Sequence, residues 1–445
     1  MVTRRTLLAG LLTVPLMRPA VARTTINIAD AQLDAFLDGR LEPFPGAGVA
    51  VGLWEDGQRR RRLVGSGIRA DSVFQIGAIT RTLTATLLAV MVQRGEVRLD
   101  DTIDRYLRNG AKTPTYDERK ITLGDLATQT SGLPRSIATL DPTGNPLQGF
   151  TEDRLYDFLG YYELKRPIGS QYEASNLGFG LLGYVLARRA GTDFATLLHE
   201  RVLRPVDMES TGVTLTPAIR ARMPVGRTWD GVRAPLWDDG ILAGGAGGYS
   251  TVADLLRFLD ANITQSGPLG AAAKMAQQSR HVTAFGHVGL GWNIEEADST
   301  IWENGVTGGF HGFIGISDDR KLGAVLLSSA AETGIDEIGF HLVDPTLWPL
   351  TPFPPVANVG DAVIDRYVGT YRVLDGTIKI SRLPTGPYAE IDNQHPLRIY
   401  PASPTKFFFK AIDAQIDFNV NAAGKCTDLV LAQRGVAYEA DRIGR

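Results

Sequence analysis

A cluster of five prolines between residues 345 and 355 is the feature that most constrains how this 445-residue chain can fold. Proline fixes its own φ and donates no backbone hydrogen bond, so neither a regular helix nor a central strand can run through the cluster. A chain of this length also exceeds what one ordinary hydrophobic core organises. We therefore expect two folded domains, at residues 23–345 and 361–445, joined by a stiff linker at residues 346–360.

The segment after the linker consists almost entirely of short runs in which apolar and polar residues alternate. This period of two is typical of strands that bury one face. The pattern predicts a small all-β domain, either a barrel or a sandwich. The runs are Thr377–Ile380, Tyr388–Ile391, Lys406–Ala411, Ile416–Val420 and Leu429–Gln433.

The longer segment before the linker has strand patterns near both of its ends and helical patterns in between. After a predicted helix at Ala29–Leu41, the segments Gly46–Trp54 and Arg59–Ser66 are expected to form a hairpin. Helical spacing of apolar residues is strongest at Thr80–Gly95, and alternating segments from Val288 to Ser329 predict three or four antiparallel strands. This order predicts an α/β (α+β) fold, in which helices flank one antiparallel sheet built from both ends of the segment.

The first 22 residues have the pattern of an export signal. Arg4 and Arg5 precede a short apolar run at Leu7–Leu16, and small residues at Ala20–Ala22 form a candidate cleavage site. The paired arginines favour a twin-arginine signal, with an ordinary secretory signal as the alternative. The apolar run is too short for a permanent membrane span. We expect the mature protein in the bacterial periplasm or outside the cell.

Composition argues against several classes of function. The net charge of −3 gives no general attraction for nucleic acid, and the one cysteine, Cys426, cannot form an intramolecular disulfide or a cysteine pair for zinc. The six histidines are scattered without the spacing of metal ligands. We therefore predict no metal and no cofactor. The arginine run at residues 59–62 is the local exception, and it is either the solvated end of the hairpin or an anion-binding patch.

Five segments of the longer domain carry a spaced set of motifs. Together they resemble the penicillin-recognising serine hydrolases, which include class C β-lactamases, DD-peptidases and related peptidases and esterases. The resemblance extends from about residue 25 to 345 and implies a β-lactamase/transpeptidase-like fold, and the tail resembles the lipocalin-like β domain that many members carry. The segments are Phe74–Asp101, Ile121–Pro134, Pro167–Gly191, Gly244–Leu259 and Asn304–Gly315.

The resemblance implies a serine mechanism whose side chains are replaced in this sequence. In the family, a serine at a helix N-terminus attacks a carbonyl, and a lysine three residues later lies one turn along on the same face. A tyrosine from another loop moves the proton, and a lysine or histidine on a strand completes the set. The corresponding residues here are Ala78, Arg81, Ala174 and Val306. Alanine and valine cannot exchange a proton, and arginine remains protonated. Because loss of the nucleophile alone removes on the order of 10⁴- to 10⁶-fold in rate, we predict a pseudoenzyme.

Backbone groups and some side chains of the implied site do not depend on those four residues. The N–H groups of Ala78 and Gly309 are expected to form an oxyanion pocket. Arg81 is expected to bind a carboxylate through two hydrogen bonds. These features favour a non-catalytic protein that binds a peptide-like or acyl ligand, such as a cell-wall fragment, or a partner protein. The predicted ligand-binding residues are Ala78, Arg81, Asn176, Thr307, Gly308 and Gly309.

Two alternatives stay open at this point. The chain is an active serine peptidase or esterase with a substitute nucleophile, or it is an inactivated form of one. Tyr172 fits a packing aromatic better than a proton carrier, and His311 has no nucleophile to activate. The Ser403–Lys406 stretch matches Ser-x-x-Lys formally, but its proline opposes the helical turn that the motif needs.

Overall fold

The computed structural model describes residues 30–444 apart from 137–149, 284–285, 332–333, 351, 374–375, 392–395, 411, 413 and 434–435. The predicted export signal at residues 1–22 lies outside the described residues. Within the ranges that are described, no helix is both long enough and apolar enough to span a bilayer.

An antiparallel sheet of eight strands forms the centre of the larger domain. Its strands are β1 (Gly48–Glu55), β2 (Gln58–Gly65), β7 (His281–Thr283), β8 (Gly286–Val288), β9 (Asn293–Glu295), β10 (Ile301–Val306), β11 (His311–Ile316) and β12 (Leu322–Ser328). Their order is β2-β1-β12-β11-β10-β9-β8-β7. Strands from the two ends of the domain therefore meet at β1 and β12, where Val49 lies opposite Ser328. This confirms the predicted sheet built from both ends of the segment.

Two short strand pairs lie outside this sheet. In the pair that bears on the site, Phe74 lies opposite Ser250. The strands of the two pairs are β3 (Phe74–Gly77) with β6 (Gly248–Ser250), and β4 (Thr115–Tyr116) with β5 (Arg119–Lys120).

Helices cover both faces of the central sheet. The helices of this domain are α1 (Asp30–Leu41), α2 (Thr80–Gln93), α3 (Leu123–Ala127), α4 (Glu152–Tyr161), α5 (Asn176–Ala190), α6 (Phe194–Leu198), α7 (Pro217–Arg220), α8 (Val252–Thr264), α9 (Gly270–Ala276) and α10 (Ile335–Val343). The helices α1 and α10 pack on one face, where Leu37 and Ile338 share a core cluster with Val51. The helices α2, α5 and α8 belong to the larger core cluster on the other face. The sequence pattern thus correctly predicted helices flanking an antiparallel sheet.

The C-terminal segment forms a closed barrel of eight strands, which confirms the predicted all-β domain and selects the barrel over the sandwich. A short helix, α11 (Asp361–Ile364), precedes it. The strands are β13 (Gly369–Val373), β14 (Gly376–Leu383), β15 (Gly386–Ile391), β16 (Leu397–Pro401), β17 (Lys406–Phe409), β18 (Ala414–Val420), β19 (Cys426–Gln433) and β20 (Val436–Gly444). The predicted domain boundaries at residues 345 and 360 fall between α10 and α11 and stay predictions.

Aromatic side chains fill the interior of the barrel. The rings of Tyr367 and Phe418 stack with 4.0 Å between their centroids, and Phe407 packs edge-on against Phe418. The thiol of Cys426 is buried beside them, 3.3 Å from the Tyr371 hydroxyl. The barrel is therefore built around a packed core.

The arginine run at residues 59–62 lies on β2, and ion pairs hold three of its members. Arg59 pairs with Asp260 of α8 at 2.6 Å, and Arg60 lies 3.6 Å from Glu55. Arg62 forms a bidentate ion pair with Asp34 of α1. These contacts favour the structural interpretation of the run over an anion-binding patch.

Gly339 of α10 provides a test of how tightly this helix packs on the sheet. An added Cβ would lie 2.2 Å from Cδ1 of Phe313, which is fully buried on β11. We predict that Gly339→Ala lowers the free energy of unfolding by about 1–3 kcal/mol through overpacking. The matched control is Gly160→Ala in α4, where an added Cβ meets no atom within 4 Å. The control should be neutral or stabilise by up to about 1 kcal/mol, as helix propensity favours alanine. Urea denaturation measures both variants, and equal unfolding midpoints would contradict the prediction.

Candidate functional site

The site is built at the turn that joins β3 to α2. Gly77 has a φ of +50°, which favours glycine, and an added Cβ there would lie 2.9 Å from the Val306 backbone nitrogen. Ala78 follows this turn and is half-buried. Its N–H has no hydrogen-bond partner among the described residues. The turn therefore presents a free backbone donor next to the end of β10.

The backbone of β10 supplies a second donor at the same place. The Thr307 N–H donates to the Phe310 carbonyl at 2.9 Å, so these two residues form a hydrogen-bonded pair. Since bonded and non-bonded pairs alternate in an antiparallel ladder, the neighbouring pair of Val306 and His311 is non-bonded, and the Val306 N–H points away from β11. An added Cβ on Gly305 would lie 2.6 Å from the Ala78 nitrogen. The N–H groups of Ala78 and Val306 thus lie side by side.

Gly309 was expected to supply that second donor, and the structure places it elsewhere. An added Cβ on Gly309 would lie 2.5 Å from Cβ of Ala234 and 2.9 Å from the Gly226 backbone. Its carbonyl accepts the N–H of Arg227 at 3.2 Å. Gly309 therefore forms a contact with the loop at residues 226–234, while Val306 takes the position beside Ala78.

A buried polar cluster lies below the turn. Arg81, one helical turn after Ala78, is 4% exposed and donates from Nη2 to Asn176 Oδ1 at 2.6 Å. Its Nη1 lies 3.7 Å from Oε2 of Glu303, which is 2% exposed. The structure thus brings together the predicted residues Ala78, Arg81 and Asn176. It adds Glu303, which the sequence analysis did not select.

Glu303 occupies the place near Arg81 at which Val306 was expected. Successive side chains of a strand point to opposite faces, so residues three apart cannot both face α2. Asn304, next to Glu303, donates to Asp336 of α10 at 2.7 Å on the far side of the sheet. Val306 is 37% exposed. Glu303, three residues before Val306, is therefore the β10 residue that faces Arg81.

The environment of Glu303 shifts its acid–base equilibrium. Burial raises the pKa of Glu303 to about 7, and the attraction of Arg81 opposes this only in part. Tyr172 lies close by, and burial raises its pKa to about 12 with Glu303 adding to the effect. The Tyr172 hydroxyl accepts a hydrogen bond from the Gln129 amide at 3.1 Å. Tyr172 is therefore a neutral, packed phenol at neutral pH.

The other predicted site residues lie around this cluster. Ala174 is half-exposed and precedes Ser175, whose hydroxyl caps α5 by accepting the Gly178 N–H at 2.8 Å. Thr307 is 3% exposed. Gly308 lies under the indole of Trp237, since an added Cβ would be 2.8 Å from Trp237 Nε1.

Sequence reasoning also missed Trp237. The Gln75 side chain holds the Trp237 backbone through bonds of 3.1 and 2.8 Å, which fixes the indole over the end of the β10–β11 hairpin. No sequence motif marks Trp237, because its position depends on this long-range pairing between Gln75 and a loop.

The side chains considered as replacements for the missing catalytic groups make structural contacts. His311 is buried and its Nε2 lies 2.9 Å from Asp336, on the α10 face of the sheet. The Ser403 hydroxyl accepts the Lys406 N–H at 3.1 Å in a turn of the barrel, where no helix begins. Across the described residues, no group of three or more histidine, cysteine or acidic side chains is arranged to hold a metal ion.

The profile of the beta-lactamase family matches residues 37–344, well over half of the chain. The chain belongs to the beta-lactamase family. This confirms the resemblance inferred from the spaced motifs.

Individual relatives in this family carry related names. The D-alanyl-D-alanine-carboxypeptidase/endopeptidase AmpH of Escherichia coli is 30% identical over 280 residues, which are 58% of this chain and 71% of that protein. Penicillin-binding protein 4 of Amycolatopsis lactamdurans is 27% identical over 333 residues, covering 69% of this chain and 82% of that protein.

A solved structure has the same fold. The crystal structure of a beta-lactamase/D-alanine carboxypeptidase from Yersinia pestis, complexed with citrate, superposes with a TM-score of 0.59. The superposition covers 68% of this chain and 94% of the Yersinia pestis chain, at 23% sequence identity. At this identity the likeness establishes the fold.

Titration of Glu303 should make stability depend on pH. The folded-state pKa of about 7 exceeds the ordinary value of 4.5, so the folded protein binds this proton more tightly than the unfolded chain. The stabilisation of the folded state by the proton on Glu303 is therefore fully present below about pH 4.5, and it is lost as the pH rises to about 7. Relative to Glu303→Gln, the wild type should lose about 3 kcal/mol over that interval, then show no further loss.

Urea denaturation of both proteins between pH 4.5 and 8 measures this difference. Asp239 is also buried, and burial raises its pKa to about 7. Because Asp239 titrates in both proteins, its effect cancels in the comparison. A difference that stays constant with pH would refute the assignment to Glu303.

Proposed function

We propose that this member of the beta-lactamase family is non-catalytic and binds a peptide-like or acyl ligand in the cleft at Ala78. The observation that carries this proposal is the pair of N–H groups at Ala78 and Val306, retained beside a position that has no nucleophilic oxygen. Two converging backbone donors suit a carbonyl oxygen. A ligand carbonyl can therefore bind there, while no side chain at residue 78 can attack it.

The cluster below the turn supports the absence of serine chemistry. Catalysis by a neighbouring base needs a group that accepts a proton, and the Arg81 guanidinium does not release its own near neutral pH. Asn176 and Glu303 hold this guanidinium in place from two sides. Arg81 is thus a fixed cation of the cleft floor in this proposal, rather than a proton carrier.

The side chains that line the cleft support the proposal of a peptide-like or acyl ligand. Asn176 uses its Oδ1 to accept from Arg81, so its Nδ2 is left to donate to a second carbonyl. Trp237 and the exposed Val306 add apolar surface for an acyl or side-chain group. The name of the E. coli relative specifies D-alanyl-D-alanine peptides, which favours a cell-wall peptide as the ligand. With the predicted signal at residues 1–22, we place this activity in the periplasm or outside a bacterial cell.

Binding and covalent reaction can be measured separately. Calorimetry with a peptide ending in D-alanyl-D-alanine should give saturable binding. Intact-mass spectrometry after incubation with a β-lactam or an activated ester should give no adduct and no hydrolysed product. Ala78→Tyr should abolish binding by filling the cleft. The matched control, Ala422→Tyr on an exposed turn of the barrel, should bind as the wild type does. A stoichiometric adduct mapped to one residue would refute the proposal.

The position of Glu303 beside Arg81 makes a further prediction about restoring activity. Ala78→Ser, Arg81→Lys and Ala174→Tyr combined with Glu303→Lys should raise ester hydrolysis about 10²-fold above the wild type, as expected for regained acid–base catalysis. The matched set carries Val306→His in place of Glu303→Lys. It should stay inactive because the Glu303 carboxylate would remain paired with the introduced lysine. Equal rates for the two sets would show that Glu303 does not occupy the catalytic position.

A further inference from the structure

A small polar cavity lies between the larger domain and the barrel, away from the cleft at Ala78. Its volume is about 70 Å³. The larger domain contributes the segment after α1 and the tip of the loop at residues 226–234. Its lining includes Phe44, Trp229, Asp230, Arg398, Tyr400 and Lys410. We call this space the interdomain cavity.

Two barrel side chains bring unused donors into the interdomain cavity. Tyr400 is 3% exposed, and its hydroxyl proton has no acceptor among the described residues. The Nε–H of Arg398 is likewise buried without an acceptor in that part of the chain. The Arg398 guanidinium lies 4.8 Å from the centroid of the Tyr400 ring. Burial raises the pKa of Tyr400, and the charge and hydrogen bonding of Arg398 oppose this, which leaves the hydroxyl proton available to donate. Buried donors without acceptors are rare in folded proteins and usually mark a bound ion or water.

Lys410 adds a second positive charge on the same wall. It is 8% exposed, and its ammonium lies 4.4 Å from the centroid of the Tyr400 ring. Glu42 forms an ion pair with it, which leaves further N–H donors on the ammonium. Asp230 also lines the cavity, but it is exposed and accepts a hydrogen bond from the Thr228 hydroxyl. The buried wall of the cavity is therefore made of donors and cations.

We propose that the interdomain cavity binds a small oxyanion, a phosphate or carboxylate group, through Arg398, Tyr400 and Lys410. A guanidinium and an ammonium beside the Tyr400 ring, together with the hydroxyl of that ring, complement the oxygens of such a group. The volume of about 70 Å³ admits a small anionic group. The bound anion would connect the barrel to the loop at residues 226–234. This site is independent of the function proposed for the cleft.

Calorimetric titration of the full chain with inorganic phosphate, and separately with acetate, tests the site at constant ionic strength in sodium chloride. The wild type should bind one of the two anions with 1:1 stoichiometry. Arg398→Gln should weaken that binding about tenfold or more. Tyr400→Phe keeps the ring and removes only the hydroxyl, and it should weaken binding about threefold or more. Arg372→Gln, on an exposed position of β13, is the matched control and should bind as the wild type does.

The more tightly bound anion identifies the oxyanion class, so a preference for either one supports the site. Circular dichroism confirms that each variant is folded, and Tyr400→Phe decides the matter if Arg398→Gln does not fold. No saturable binding of either anion to the wild type would overturn the proposal. Unchanged affinity in the folded variants would overturn it too, because the anion would then bind elsewhere.

Discussion

The buried contact between Arg81 and Glu303 is the interaction on which the cleft depends. It links the start of α2 to β10, and Asn176 joins it from the start of α5. Removing one partner of such a pair leaves an uncompensated buried charge and typically costs about 3–5 kcal/mol. The two residues are therefore coupled, and a change at either one affects α2, α5 and β10, which meet below Ala78.

The position of the two N–H donors in the cleft depends on backbone contacts. Gly77 and Gly305 let β3 and β10 approach so closely that a Cβ on either would collide with the backbone of the other. The donors of Ala78 and Val306 lie next to each other as a result. This explains how a chain can keep the family's architecture while the reactive side chains differ, since fold and chemistry depend on different atoms.

The sequence predicted the long elements well, and the site only in part. Strands such as β1 and β12 contain alternating apolar and polar residues or long apolar runs. This pattern predicted that they belong to one sheet. The strands β7 and β8 have three residues each, too few to show a period, and were missed. Arg81 lies one helical turn after Ala78, as the spacing predicted, because residues i and i+3 share a helical face. Glu303 was not selected, because the sequence alone does not show which residue of β10 lies next to Arg81. Only the strand register decides which side chain faces α2.

The loop at residues 226–234 has a consequence for how the two domains work together. At its base, Gly226 and Ala234 pack on Gly309, and the Arg227 N–H reaches the carbonyls of both Gly309 and Ser329. At its tip, Trp229 borders the cavity shared with the barrel. This short loop thus contacts the wall of the cleft at its base and lines the cavity shared with the barrel at its tip. A substitution at Trp229 therefore changes the same short loop that packs against the wall of the cleft.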